Sequence, residues 1–598
     1  MTVTVVKQSA DATTQQAWWK EASIYQIYPA SFKDSNGDGW GDIRGIIEKL
    51  DYLKDVGVDA VWLCPIFKSP QVDMGYDISD YRDVHPPYGT VQDVDDLIAG
   101  LHQRGMKCVL DLVVNHSSDQ HEWFKSSRSA LDSPHRDWYI WRKPRFNEAG
   151  ERRPPNNWRA AFGGSAWTFD ESTGEYYLHL FAPEQPDLNW ENPAVVREVH
   201  DVMTFWLDKG ADGFRMDVIN LISKEPGLPD APVTRPDEPW QDALSLVCNG
   251  PRLHEHLRGL RALLDRYGAF SVGEMPGVKE EDQVAKVVAA DRKELHTIFQ
   301  FDIVDMDIGS GGKFSRQPWT LPVLKGIITK WQLFARRVGG WNSIFMENHD
   351  QARSVSRFTQ HRPEHRVAAA KLLATCLCSL GGTLFVYQGQ ELGMANLPKS
   401  WGIEEYKDIE TQNLYKEAVE AIGDDKQAME ELWTEIRLKA RDHARSPVQW
   451  DASPHAGFTA GTPWMRVNDT YGQINAAQQQ DDPASVLQYW RSCLAARKGA
   501  KPSLVYGSFE MFDAEDTSIF AYSREDGGGE KALAVLNFAD DERTWTVPET
   551  QRGVLSKGRV VMSTHGESEV KVQGEGQGLA VLLRPFEGMV IIEAAAAK

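Results

Sequence analysis

Histidine and carboxylate side chains follow short apolar stretches at four places along the chain. His116, Asp217, Glu274 and the pair His349-Asp350 each close a run rich in β-branched and aromatic residues. Two facing carboxyl groups can hydrolyse a glycosidic bond: one attacks as a nucleophile and the other protonates the leaving oxygen, with about 5–5.5 Å between them. Asp217 and Glu274 close consecutive runs, so we expect them to form such a pair.

The neighbours of these carboxyl groups suit that division of roles. Arg215 lies two residues before Asp217 and therefore points to the same side of a strand, where its guanidinium would keep Asp217 ionised. Glu274 has apolar neighbours, and an apolar setting raises the pKa of a carboxyl group, as a general acid requires. Asp350 supplies a third carboxylate, which could bind sugar hydroxyls and stabilise positive charge on the ring.

The elements that must position these residues recur as eight apolar runs, each typical of a fully buried parallel strand. The runs cover residues 23–29, 58–65, 107–116, 211–217, 269–275, 295–302, 341–350 and 383–391. Helix-like stretches that end at glycine separate them, for example 93–105 and 193–210. Eight alternations of strand and helix predict an α/β chain with a closed (β/α)8 TIM barrel, whose active site lies at the C-terminal ends of the strands.

Two segments depart from this alternation. Residues 117–190 are rich in Trp, Pro, Gly and charged residues and separate the third strand from its helix. After residue 506, apolar and polar residues alternate around Gly-rich turns, which is typical of antiparallel strands. We therefore predict a barrel formed by 1–116 and 191–506, an inserted subdomain B at 117–190 over the barrel mouth, and a C-terminal β-sandwich at 507–598.

Charge and composition limit the partners. The 598 residues include 65 basic and 86 acidic side chains, a net charge of −21, which argues against nucleic acid or an anionic membrane as the main partner. The six cysteines show no disulfide framework, and no apolar run is long enough for a secretory signal or a membrane span. We expect a cytoplasmic protein that is a monomer or a weak homo-oligomer and needs no organic cofactor.

Four motifs in chain order resemble the signature regions of the α-amylase family of glycoside hydrolases. They are DLVVNH (111–116), GFRMD (213–217), GEMPG (273–277) and ENHDQ (347–351). QPDLN at 185–189 resembles an additional region of the oligo-1,6-glucosidase and maltase branch of that family. Together the motifs are highly specific, whereas any one alone would be weak.

The resemblance implies roles for individual residues. Asp217 matches the nucleophile, Glu274 the acid/base and Asp350 the stabiliser of the transition state. Arg445 matches the arginine that closes the far wall of the sugar pocket, with Arg441 as the alternative. The remaining matches bind or surround the same glucose unit, although Phe162 and Phe181 could equally be core residues of subdomain B: Asp73, Tyr76, His116, Phe162, Phe181, Arg215 and His349.

The resemblance further implies a retaining, exo-acting α-glucosidase that hydrolyses terminal glucose from isomaltose- or maltose-type oligosaccharides. Val218, directly after the nucleophile, is similar to the residue of enzymes that accept α-1,6 bonds. One side chain gives modest discrimination, so the preferred linkage and chain length stay open. The alternatives are a transglucosylase or sucrose isomerase on the same site and, in another class, a non-catalytic binding partner.

The stretch DSNGDGWGD (34–42) begins like an EF-hand calcium loop, but its twelfth position is Gly45 instead of a bidentate Glu. It follows the first predicted strand, and in the resembling branch a similar loop binds one structural cation. The resemblance implies ligation by the side chains of Asp34, Asn36, Asp38 and Asp42 and by the carbonyl of Trp40. Such hard oxygen donors favour Ca²⁺ and permit Mg²⁺. The alternative is an Asx-rich turn without metal.

Overall fold

Eight parallel strands, β1 to β8 in chain order, form a sheet that curves into a barrel. In this computed structural model, which describes residues 15–309, 311–358, 363–423, 425–566, 570–574 and 578–595, each predicted run contains one strand. The strands are Ser23–Ile27, Ala60–Leu63, Lys107–Leu112, Gly213–Met216, Phe270–Glu274, Thr297–Phe299, Ser343–Ile344 and Thr383–Tyr387.

The sheet runs in the order β6-β5-β4-β3-β2-β1-β8-β7, so its two ends are β6 and β7. There the Thr297 hydroxyl lies 3.0 Å from the Ser343 hydroxyl and 3.3 Å from the carbonyl of Trp341, so side-chain contacts join the two ends. Every residue of β1, β2, β4, β5 and β8 is buried, as expected for strands covered on both faces. The near-closed barrel confirms the predicted fold class.

The helices around the barrel follow the apolar stripes of the sequence. They include Ile43–Glu48, Leu50–Val56, Val91–Gln103, Pro193–Asp208, Leu253–Tyr267, Glu281–Val288, Leu321–Arg337, Arg366–Ser379 and Val486–Gly499. Thr90 and Asp93 form a capping box at the start of the third of these, and Asn192 caps the helix that begins at Pro193. Across the described ranges, none of the helices combines the length and the apolar character that crossing a membrane requires.

The segment between β3 and the helix Pro193–Asp208 contains its own small elements. A helix, Glu122–Ser129, is followed by an antiparallel sheet of Trp141–Arg142, Glu175–Leu178 and Trp167–Asp170 and by the hairpin strands Arg145–Phe146 and Arg152–Arg153. Trp158, Trp167 and Leu178 pack in one apolar cluster with Val218 and Leu228, which follow β4. The insertion is thereby attached to the barrel mouth beside the strand that carries Asp217.

The C-terminal residues form two antiparallel sheets. One contains Glu510–Phe512, Ile519–Glu525, Lys531–Asn537, Gly588–Glu593 and Arg559–Ser563, and the other contains Arg543–Thr546, Ala580–Leu583 and Val572–Gln573. Their shared apolar core includes Val535, Trp545 and Ile591.

A helical hairpin stands between β8 and the last barrel helix. Its helices are Ile409–Ile422 and Lys426–Lys439, and a short helix, Asp442–Arg445, follows directly. Tyr406 and Ile436 at its base are fully buried with Trp401 and Met465. Since the hairpin precedes Arg441 and Arg445, its base determines where these two side chains enter the barrel mouth.

Candidate active site

One guanidinium joins the two carboxyl groups at the ends of β4 and β5. Met216 pairs with Gly273, so the residues that follow them, Asp217 and Glu274, lie side by side. Arg215 is 1% exposed; its Nη1 donates to Asp217 Oδ1 at 2.7 Å and its Nη2 to Glu274 Oε2 at 2.6 Å. The structure therefore brings together the pair expected from the sequence.

Burial raises the pKa of both carboxyl groups of this pair. Burial raises the pKa of Glu274 to about 8, opposed by Arg215 and reinforced by the charges of Asp217 and Asp350. Burial also raises the pKa of Asp217, to about 7, although Arg215 pulls it down. The charges of Asp217 and Asp350 both oppose ionisation of Glu274, which favours Glu274 as the group that keeps its proton, as an acid requires.

A further carboxylate, which the sequence analysis did not identify, accepts a hydrogen bond from Arg215. Asp111 on β3 is 1% exposed and accepts from Arg215 Nη1 at 3.0 Å. It also accepts from Trp62 Nε1 at 3.1 Å and from the Tyr76 hydroxyl at 3.2 Å. Asp111 opens the motif DLVVNH, and a charge inside an apolar run is the signal that could have revealed it.

Three contacts define the orientation of His349. Gln26 Nε2 lies 2.8 Å from His349 Nδ1, and because an amide nitrogen only donates, the ring proton is on Nε2. That Nε2 faces Asp350 Oδ2 at 3.2 Å. Tyr76 stacks on the ring at a centroid distance of 5.2 Å and an angle of 7°. Burial lowers the pKa of His349 to about 3, so the imidazole is a neutral donor.

The far end of the pocket is built from alternating charges. Arg441 Nη2 lies 3.0 Å from Asp73 Oδ1, and its Nη1 lies 3.2 Å from Asp350 Oδ1. Arg445 Nη2 lies 3.0 Å from the same oxygen of Asp350. The arginine opposite Asp73 is therefore Arg441, not Arg445, which pairs with Asp350 and Asp408. The two arginines are four positions apart, about one helical turn, and the sequence motif alone does not show which of them faces Asp73.

Asp350 stays ionised in this setting. Burial alone would raise its pKa, but His349, Arg441 and Arg445 together hold the pKa of Asp350 well below its usual range. The third carboxylate thus carries a full negative charge beside the pair at Asp217 and Glu274, where a positively charged reaction centre would be stabilised.

The inserted segment adds an aromatic side to the pocket. The Phe181 ring lies 5.1 Å from the His116 ring and 5.9 Å from the Phe162 ring, and the guanidinium of Arg441 lies 5.1 Å from Phe162. His116 Nε2 donates to the carbonyl of Tyr76 at 3.0 Å. Phe162 and Phe181 are thus wall residues of the site, and Phe181 also packs against the core of the insertion.

Val218 has a backbone conformation that is rare for its type. Its φ is 33°, in the left-handed region, and β-branched residues seldom occupy that region. Its N–H donates to Glu274 Oε2 at 3.3 Å and its side chain is 7% exposed. A cavity of about 340 Å³ lined by Phe162, Trp240, Lys313 and Glu410, among others, adjoins the site at Phe162.

The loop predicted to bind a cation is held by its own hydrogen bonds. Asp34 accepts from the backbone N–H groups of Asn36, Gly37 and Gly39 and from the Thr459 hydroxyl. The other side chains also accept from backbone N–H groups. Asn36 accepts from the N–H of Asp38, Asp38 from that of Trp40, and Asp42 from those of Ser35 and Gly45.

These contacts are those of consecutive Asx turns, which stabilise the loop without a cation. Within the described part of the chain, no three His, Cys, Asp or Glu side chains converge as a metal centre. The donor set is chemically suitable for Ca²⁺ or Mg²⁺, but its oxygens as placed do not converge on one point. Cation binding here stays a prediction.

Comparison with known proteins agrees with this geometry. The family described as "Alpha amylase, catalytic domain" matches residues 26–507. An α-glucosidase of Schizosaccharomyces pombe is 51% identical over 89% of this chain and 92% of its own length. An oligo-1,6-glucosidase of Parageobacillus thermoglucosidasius is 47% identical over 96% of this chain and 99% of its own.

Solved structures of similar proteins have the same fold over nearly the whole chain. A trehalose-6-phosphate hydrolase from Bacillus licheniformis superposes with a TM-score of 0.88 at 40% identity, covering 96% of this chain and 100% of that one. An isomaltulose synthase from Erwinia rhapontici NX5 superposes with a TM-score of 0.88 at 39% identity, covering 97% and 99%.

Proposed function

Because the chain belongs to the alpha-amylase catalytic-domain family and is an α-glucosidase, we propose that it releases terminal glucose from the non-reducing ends of short α-gluco-oligosaccharides through a glucosyl-enzyme on Asp217. The observation that carries the proposal is the double contact of Arg215 with Asp217 and Glu274, which sets a nucleophile and an acid side by side in a buried pocket.

The proposed reaction has two steps. First, a carboxylate oxygen of Asp217 bonds to the anomeric carbon, the bond from that carbon to the glycosidic oxygen breaks, and Glu274 gives its proton to the departing oxygen. Next, water attacks the anomeric carbon, Glu274 takes the proton of the water, and the bond to Asp217 breaks. Two displacements at one carbon leave the configuration of the product unchanged. Asp350 stabilises the positive charge that develops on the ring.

The far end of the pocket supports exo-action. The ring carbon opposite the anomeric carbon is C4, so the hydroxyl of C4 on a bound terminal glucose faces Asp73 and Arg441, whose ion pair blocks the pocket there. A glucan chain cannot continue past this ion pair, so a single terminal glucose fits. The leaving part of the substrate then lies on the other side of the anomeric carbon, beside Glu274, which protonates its oxygen.

Turnover of p-nitrophenyl α-glucoside, isomaltose and maltose tests the proposal. We expect α-glucose as the first product by proton NMR, no turnover by Asp217→Asn, and a loss of about 10²–10⁴-fold on isomaltose for Glu274→Gln. Asp425→Asn is the control, because Asp425 only caps its own helix, and its rates should equal those of the wild type. Equal rates for wild type and Asp217→Asn, or β-glucose as first product, would refute the proposal.

For linkage, we propose that isomaltose-type α-1,6 bonds are accepted. Val218 contacts the acid through its backbone N–H, and its side chain packs in the apolar cluster of the insertion next to the strand that carries Asp217. A Val218→Thr variant should therefore lower the ratio of isomaltose to maltose turnover, and a ratio that does not change would remove Val218 from the basis of specificity. The relatives include enzymes named for both activities, so their names do not decide this point.

A second candidate function is transfer of the glucosyl group to a sugar instead of water, including isomerisation of sucrose. The similarity to an isomaltulose synthase structure favours it. Product analysis with sucrose, and with glucose at high concentration, distinguishes the two: release of free glucose without new disaccharides would leave hydrolysis as the activity. The predicted cytoplasmic location and the monomeric or weakly associated state also remain proposals.

We also propose that the loop 34–42 binds one Ca²⁺ or Mg²⁺ ion after rearrangement of its Asx turns, with a structural effect only. Thermal unfolding with added Ca²⁺, with Mg²⁺ and with a chelator tests this. We expect a higher Tm with the cation for the wild type and no such effect for Asp38→Ala. A wild-type Tm that none of these additions changes would refute the site.

A further inference from the structure

Beside the proposed sugar pocket lies a buried carboxylate, Asp408, that belongs to no motif of the sequence analysis. We propose that Asp408 is a positioning residue, which holds Arg441 and Arg445 in the orientation that binds the far side of the terminal glucose. The inference rests on the proposed function, because it assigns these arginines to a sugar pocket.

Asp408 is contacted by both arginines at once. Its Oδ1 accepts from Arg441 Nε at 3.0 Å, and its Oδ2 lies 2.9 Å from Arg441 Nη2 and 2.6 Å from Arg445 Nη1. The side chain is fully buried, so no water competes for these contacts. The charges therefore form one continuous chain, Asp73–Arg441–Asp408–Arg445–Asp350, with Arg441 also touching Asp350.

The geometry separates the function of Asp408 from that of the carboxylates on either side. Arg441 directs Nη1 toward Asp350 and Nη2 toward Asp73, where the sugar would lie, while Asp408 accepts from its Nε and shares its Nη2 with Asp73. Arg445 likewise points Nη2 at Asp350 and Nη1 at Asp408. Asp408 thus binds the faces of both guanidinium groups that point away from the glucose, and it touches no sugar itself.

Asp408 is also the N-cap of the first hairpin helix. Its Oδ1 accepts from the backbone N–H of Glu410 at 3.0 Å, and Asp442 holds the backbone of the same turn by accepting from the N–H of Asp408 at 3.0 Å. Glu410 and Leu414 of this helix line the cavity that adjoins the site at Phe162. One side chain therefore links the helix that borders this cavity to both arginines.

Asp408→Asn isolates the charge, because asparagine is as good an N-cap as aspartate and has the same shape. We expect the variant to fold and to lose about 30-fold or more in kcat/KM on p-nitrophenyl α-glucoside, since a buried charged partner of both arginines is removed. Asp425→Asn, the same substitution at the cap of the second hairpin helix, should keep wild-type rates.

A structural role alone would lower all rates together, so the decisive comparison uses the 4-deoxy analogue of the same substrate. In the wild type, loss of the 4-hydroxyl should cost a large factor in kcat/KM. In Asp408→Asn the ratio of kcat/KM for the substrate and its 4-deoxy analogue should be severalfold smaller, because the arginine that binds this hydroxyl is no longer oriented. The effects of the substitution and of the missing hydroxyl are then non-additive. An unchanged factor would overturn the proposal.

The remaining outcomes are also decisive. If Asp408→Asn does not fold, Asp408→Ser, which keeps a capping oxygen and is smaller, is measured in its place. Failure of both variants to fold would assign Asp408 to stability and overturn the positioning role. An inactive wild type would instead refute the proposed function, and an active wild type with an equally active Asp408→Asn would refute only the inference.

Discussion

At the scale of single residues, the chemistry depends on one guanidinium shared by two carboxyl groups. Arg215 contacts Asp217 and Glu274 through different nitrogens and is itself held by Asp111. Burial raises the pKa of both catalytic carboxyl groups. The charges of Asp217 and Asp350 further oppose ionisation of Glu274, which suits Glu274 to the role of the acid.

The pH dependence of kcat/KM is the first prediction at this scale. Turnover requires Asp217 ionised and Glu274 protonated, and their pKa values are raised to about 7 and about 8. Activity should therefore rise as the pH increases through the ionisation of Asp217 and fall as it increases through that of Glu274, with the maximum between them. Rates on p-nitrophenyl α-glucoside over a broad pH range measure this. Activity that does not decline above pH 9 would contradict this prediction.

The sequence predicted which residues the barrel brings together, but not every contact among them. Asp217, Glu274, Asp350 and His349 close predicted strand runs, so topology alone gathers them at one end. Arg441 could not be distinguished from Arg445 one helical turn away, and Asp408 follows no strand. Their positions depend on how a helical hairpin packs on the barrel, which no local pattern records.

At the scale of elements, the strands were predictable and the hairpin was not identified. Buried parallel strands are continuous apolar runs, and all eight were found. The helices Ile409–Ile422 and Lys426–Lys439 are rich in charged residues and bury few side chains, so they stood outside the strand–helix alternation on which the prediction relied. The sequence therefore predicted no element for the segment that carries Asp408.

Asp42 gives a prediction for one element. It caps the helix Ile43–Glu48 by accepting from Gly45 N–H at 2.6 Å, and it also accepts from Ser35. Asp42→Ala should lower the free energy of unfolding by about 1 kcal/mol even with a chelator present, because the cap is lost whether or not a cation binds. Urea unfolding in chelator measures the difference. A loss that appears only in Ca²⁺ would mean that Asp42 acts as a ligand and not as a cap.

At the scale of the whole molecule, one buried lysine joins the barrel to the C-terminal sheets. Lys325, on the helix Leu321–Arg337, is 0% exposed. Its ammonium donates to the carbonyl groups of Asp513, Asp516 and Ile519 at 2.5, 2.9 and 3.0 Å. Three backbone acceptors satisfy the three hydrogens of one ammonium group, so the loop before Ile519–Glu525 is fixed to the barrel.

Lys325→Met should weaken this connection without affecting the chemistry. Methionine fills similar space but removes the donor to three carbonyl groups, of which that of Ile519 is buried, and this should lower the free energy of unfolding by about 1–3 kcal/mol. Lys557→Met, a change at an exposed lysine, should alter it by less than about 0.5 kcal/mol. Calorimetry gives the stability and p-nitrophenyl α-glucoside the activity. A marked loss of kcat/KM at a temperature where Lys325→Met is folded would contradict the purely structural role.

The most direct test of the central claim is to find the covalent bond to Asp217. A fluorinated glucosyl fluoride that forms the glucosyl-enzyme quickly and hydrolyses slowly would be added, and the digested protein would be examined by mass spectrometry. We predict one glucosyl group on the peptide that contains Asp217 and none on Asp217→Asn. An adduct on another side chain, or an inverted product with Asp217 unmodified, would contradict it.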